Sequence, residues 1–75
     1  MSERLPRITA AQIIKVMKKL GFVLSRQSGS HMIFKNNEGK RITVPFHGKT
    51  ILHPKVVKSI IEVAGISIEE LKKLL

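Results

Sequence analysis

The sequence carries three imidazoles, His31, His47 and His53, and no cysteine. Imidazole ordinarily titrates near pH ~6.5, so a histidine can take or give a proton at neutral pH. His31 ends the stretch Arg26-Gln27-Ser28-Gly29-Ser30-His31, with Lys35, Lys40 and Arg41 close behind it. A titratable ring among cations suits chemistry on a phosphodiester. The ring moves a proton and the cations offset charge on the phosphate. Gly29-Ser30 can supply backbone N–H groups and close access to that phosphate, or make a simple tight turn. His47 can support such a site or order the loop after Pro45. His53 adds little. Lys49, Lys55 and Lys58 extend the basic set. Near Pro54, Lys55 and Lys58 offer either a phosphate site at a helix start or a solvated helix face.

Other chemistries find little support. The acids Glu3, Glu38, Glu62, Glu69 and Glu70 form no cluster of oxygen ligands for a divalent cation. Three histidines without cysteine match no zinc-ligand spacing. The glycines, Gly21, Gly29, Gly39, Gly48 and Gly65, never form a dinucleotide-binding or P-loop pattern. Neither a metal nor a cofactor is expected.

Charge points outward instead. Fourteen Lys and Arg face five acids, a formal net charge of +9. From Arg4 to Lys58 the only acid is Glu38, whereas Ser59 to Leu75 is slightly acidic. Such a field attracts polyanions, either nucleic acid or an acidic protein. Hydrophobic residues at 43% exclude a disordered tail, and 75 residues allow one small core. A single domain is expected over residues 1–75, with Met1 to Arg7 a loose tail. No apolar run approaches a membrane span of ~20 residues, and the N-terminus lacks the apolar stretch of a signal peptide. A cytoplasmic protein without membrane contact is the expectation.

Elements must position these residues. Thr9-Ala10-Ala11-Gln12 fits a capping box, with Ile8 and Ile13 as a hydrophobic staple. Ile13, Val16, Met17 and Leu20 recur at helical spacing, and Gly21 is placed to stop that helix. Strands are predicted over 22–26, 30–35 and 40–44, with turns at 27–29 and 36–39 and Pro45 ending the third. A loop over 46–50 leads to a second helix. Pro54 sits in its first turn, Val57, Ile60, Ile61 and Ala64 form its apolar face, and Gly65 stops it. Ser67-Ile68-Glu69-Glu70 opens a short third helix, whose Leu71, Leu74 and Leu75 can pack on the core. The fold class is therefore α+β: a three-stranded antiparallel meander with one face covered by helices. Alternation puts Met32, Phe34, Ile42 and Val44 toward the core and His31 on the open face.

Several blocks also carry a family resemblance. They are Gly21-Phe22, the stretch Arg26 to His31, Val44-Pro45-Phe46-His47-Gly48, Val56-Val57-Lys58-Ser59-Ile60-Ile61 and Ala64-Gly65-Ile66-Ser67. In this order and spacing the chain, from about Ile8 to Leu75, resembles the HicA family of mRNA interferase toxins, also called YcfA-like proteins. Met32 stands where many members carry a second histidine, and Lys55-Val56 where many have Gly-Thr.

The resemblance implies a double-stranded-RNA-binding-domain-like fold and a ribonuclease that depends on the histidine of Gly-Ser-His, here His31. It also implies a partner antitoxin, HicB, that holds the toxin inactive. On this reading Gly29, Ser30 and His47 support the site. Arg26, Lys35, Lys40, Arg41, Lys49, Lys55 and Lys58 contact RNA. The chain is expected to be a monomer alone or a hetero-oligomer with its antitoxin. Two other readings use the same features: a non-catalytic RNA-binding module on the same fold, and a protein-interaction domain with an acidic partner.

Overall fold

Thr9 caps the first helix, α1 (Ala10–Lys19), in the computed structural model, which describes residues 5–46 and 51–75. Its Oγ1 accepts the Gln12 N–H at 3.2 Å, and Gln12 Oε1 accepts the Thr9 N–H at 2.9 Å. Two otherwise orphaned helix donors are thus satisfied by the box read in the sequence. The Phe22 N–H returns to the Met17 carbonyl at 3.0 Å and closes the helix. Ile8, Ile13, Val16 and Met17 are all buried, so the staple pair and the apolar stripe enter the core together.

The chain then forms β1 (Val23–Ser28), β2 (His31–Lys35) and β3 (Arg41–Pro45), an antiparallel sheet in that order. The first hairpin turns two residues later than expected. β1 runs through Ser28, and Gly29-Ser30 alone make the turn, because Ser28 pairs with His31. Gly29 takes φ 58 while no other residue type adopts positive φ. That is the pattern of a type II′ turn, whose twist matches the strands. The second hairpin agrees with the Asn36 to Gly39 reading. Asn36 Oδ1 accepts the N–H groups of Glu38 at 3.0 Å and Lys40 at 2.9 Å.

Two helices complete the chain, α2 (Pro54–Ala64) and α3 (Ile68–Leu74). Gly65, in the left-handed conformation, ends α2. Ser67 and Glu70 form the capping box of α3. Both α1 and α2 pack against β3, and α3 packs against α1. Phe34, Ile42 and Val44 meet the helices from the sheet, with Met32 half-buried beside them. The sheet's other face is open. This is the α+β arrangement that the element order predicts, and it is the double-stranded-RNA-binding-domain-like fold that the resemblance implies.

Two terminal expectations differ. Leu5 is half-buried against the core, so the chain is anchored earlier than a tail over residues 1–7 implies; residues 1–4 lie outside the described residues. Leu71 is buried and Leu74 partly so, but Leu75 is exposed.

Candidate active site

Residues opposite each other in an antiparallel pair share a face, so the register fixes what the open face presents. It presents three rows: Ser28, His31 and Pro45; then Arg26, Ile33 and Thr43; then Val23, Lys35 and Arg41. The imidazole expected on this face is there and exposed. Strict alternation from Leu24 would send Arg26 to the helix side. Instead the register shifts between Leu24 and Arg26, leaving Ser25 as the extra residue of a bulge. One extra residue flips the face of every later side chain in the strand, so Arg26 joins His31. A shallow cleft bordered by Arg26, Ile33, Lys35 and Arg41 results.

The turn before His31 is internally braced. Gln27 Nε2 donates to the Gly29 carbonyl at 3.1 Å, and the Phe46 N–H donates to the Ser30 carbonyl. The second bond ties the end of β3 to the turn and holds His31 against Pro45. A Cβ built on Gly29 would meet no protein atom within 4 Å. Backbone conformation therefore demands glycine here, and crowding does not.

Helix α2 completes the surroundings. Residue 51 bridges to Thr9, and the Leu52 N–H donates to the Ile8 carbonyl at 2.8 Å. This pins the segment that leads into α2 to the segment that leads into α1. Between β3 and α2 lies a groove of about 540 Å³ that includes His31 and Arg41 on the sheet side and Lys55, Val56 and Ser59 on the helix side. Among the described residues, no carboxylate forms an ion pair with Arg26, Lys35, Arg41 or Lys55. Among the described residues, the open face is thus a cationic surface without paired acids, set around the His31 imidazole.

Not every cation of the sequence reading gathers here. Lys40 lies toward the helix side, its Nζ 3.6 Å from where a Cβ of residue 65 would stand. Lys58 borders a separate depression with Leu5, Glu62 and Ile68. His47 and Lys49 fall outside the described residues. The helix-start phosphate site is not formed. Pro54 has no N–H, the Lys55 N–H donates to His53 Nδ1 at 3.1 Å, and the Val56 N–H donates to the His53 carbonyl at 2.9 Å. His53, set aside in the sequence, is the cap of α2 and occupies the donors an anion would need. Its place directly before Pro54 was the available signal. Among the described residues no three histidine or carboxylate side chains cluster as metal ligands, and no helix is long and apolar enough to cross a membrane.

Comparison with known proteins adds the lineage. No curated protein sequence matches the chain. A family model described as the HicA toxin of bacterial toxin–antitoxin matches residues 10–66. That span runs from the first residue of α1 to just past α2, taking in the whole sheet, the Gly29-Ser30 turn and His31, and leaving out α3. The chain belongs to the HicA toxin family of bacterial toxin–antitoxin systems.

Proposed function

We propose that the protein is a metal-independent endoribonuclease acting on mRNA, with His31 as its catalytic residue and a HicB-type antitoxin as its inhibitor. The observation that carries this reading is the exposed His31 imidazole among Arg26, Lys35, Arg41 and Lys55, cations with no ion pair among the described residues. RNA brings its own nucleophile. The 2′-oxygen attacks the adjacent phosphorus, the P–O5′ bond breaks, and a 2′,3′-cyclic phosphate and a 5′-hydroxyl result. Two protons move: one leaves the 2′-hydroxyl and one reaches the departing 5′-oxygen. His31 carries one of these transfers and water the other. The cations stabilise the charge that gathers on the phosphoryl oxygens.

Lys35 and Arg41 support the same reading through their cost. They sit directly opposite each other, and like charges so placed destabilise a sheet. A bound polyanion removes that repulsion. The five glutamates are scattered along the sequence, and a divalent site needs several oxygen ligands, which supports a mechanism without a metal.

The test uses the purified chain and single-stranded RNA in excess EDTA. Cleavage is expected to persist, with cyclic-phosphate ends. Loss of cleavage in EDTA and its return with Mg²⁺ would overturn the metal-free mechanism. Binding without any cleavage would favour the RNA-binding module.

A further inference from the structure

We infer that the groove between β3 and α2 is a nucleotide subsite, which takes an unstacked base of single-stranded RNA beside the phosphate held at His31. This inference rests on the ribonuclease reading and adds to it the form of RNA that is accepted and the residues that select it.

The groove changes character along its length. His31 and Lys55 stand at one end, where β3 finishes and α2 begins, and Arg41 and Val63 border it toward the other. From Lys55 to Val63 the helix advances roughly 12 Å. Cations at both ends enclose an apolar middle made by Val56 and Ile60. A nucleotide has the same alternation, with charged phosphates flanking a flat, largely apolar base. The volume of about 540 Å³ falls within the usual range for small-molecule sites.

The groove wall also carries a hydrogen-bonding edge. The Phe46 N–H bonds the Ser30 carbonyl and the Asn36 N–H bonds the Lys40 carbonyl. Both fall on the same alternation of the β2–β3 pair, which makes Val44–Met32 and Ile42–Phe34 the hydrogen-bonded pairs. The N–H and C=O of Thr43 therefore point away from β2, toward the groove that Thr43 lines. One donor and one acceptor side by side can read the edge of a base. Ser59 and Thr43 line the same groove from the helix side and the strand side.

The alternative occupant of such an edge is a strand of a partner protein. β3 is poorly equipped for it. Its outward positions are Arg41, Thr43 and Pro45, and Pro45 has no N–H to give. Charge at both ends and only two outward donors favour a nucleotide over a polypeptide strand. A paired base cannot enter the groove, because in a duplex it is stacked and its edge is occupied.

Binding is measured by fluorescence anisotropy with the full chain carrying His31→Ala, so that RNA stays intact. Probes are a single-stranded ribo-oligonucleotide, its duplex and an abasic ribose-phosphate oligomer of equal charge. The single strand is expected to bind about tenfold more tightly than either. Ser59→Trp, placed in the same background at an exposed helix position, is expected to erase that preference while the melting temperature holds. Equal affinity for the abasic oligomer would overturn the subsite, and needs no groove variant. So would a Ser59→Trp protein that blocks capture of an acidic partner protein but leaves RNA preference intact. Wild-type chain on the same single strand separates the two claims. Base preference without cleavage keeps the subsite and rejects the nuclease; cleavage without base preference does the reverse.

Discussion

His31 is exposed, opposite Pro45 and one row from Arg26, so its removal tests chemistry with little effect on packing. His31→Ala is expected to lower cleavage by roughly 10²–10⁴-fold, the usual share of one proton-transfer group. Stability is expected to stay within about 0.5 kcal/mol, as for other surface substitutions. RNA affinity is expected to fall only modestly, since Lys and Arg supply most phosphate attraction. Cleavage, melting and binding on the same two proteins check all three. A variant that melts like wild type and still cleaves would remove His31 from the mechanism.

Among the elements, the β2–β3 pair sets Lys35 beside Arg41 with no acid to pair them among the described residues. Relief of that repulsion, together with a β-branched replacement, makes Lys35→Thr a stabilising change of about 0.5 kcal/mol. The same variant is expected to bind and cleave RNA less well. Denaturant melts beside anisotropy titrations check the opposition; a loss of both stability and binding would mean that Lys35 has a packing role instead. Helix α2 shows how an element can withdraw a site as well as create one. His53 caps its first turn and takes the Lys55 N–H, which leaves the Lys55 side chain as its cationic contribution at the groove.

For the whole molecule, charge and shape act together. A radius of gyration of 11.6 Å agrees with one small core, and Arg26, Lys35 and Arg41 share the sheet's uncovered side. If Arg26, Lys35, Arg41 and Lys55 each neutralise a phosphate, log affinity for single-stranded RNA is expected to fall against log salt with a slope of about −3. Each cation-to-Ala substitution is expected to make the slope shallower by about 0.7, whereas Lys40→Ala and Lys58→Ala leave it unchanged. Titrations at several salt concentrations read this directly. The same field should steer an acidic antitoxin surface onto the His31 face. Added HicB-type antitoxin is expected to protect His31 from diethyl pyrocarbonate and to stop cleavage together; a complex that leaves His31 reactive and RNA cleavage unaffected would count against this.

Much of the fold was legible because it is locally encoded. The boxes Thr9 to Gln12 and Ser67 to Glu70 satisfy helix donors within four residues, and Asn36 closes its own turn. The two-residue alternation of β2 places His31 and Phe34 on opposite faces whatever surrounds them. The basic excess and the glycine before Ser30-His31 are likewise read without coordinates. Other choices belong to the tertiary structure alone, because they depend on pairing across the sheet and packing against it. The bulge at Ser25 exists only relative to β2, and it alone brings Arg26 to the open face. The contact of residues 51–52 with 8–9 sets the start of α2, so Lys55 joins the groove while Lys58, three residues on, turns away from it. Lys40 and Arg41 are adjacent in sequence, yet the pleat and the return of α2 send them to opposite sides. Sequence carries such choices only through long-range contacts, whose energies no local pattern contains.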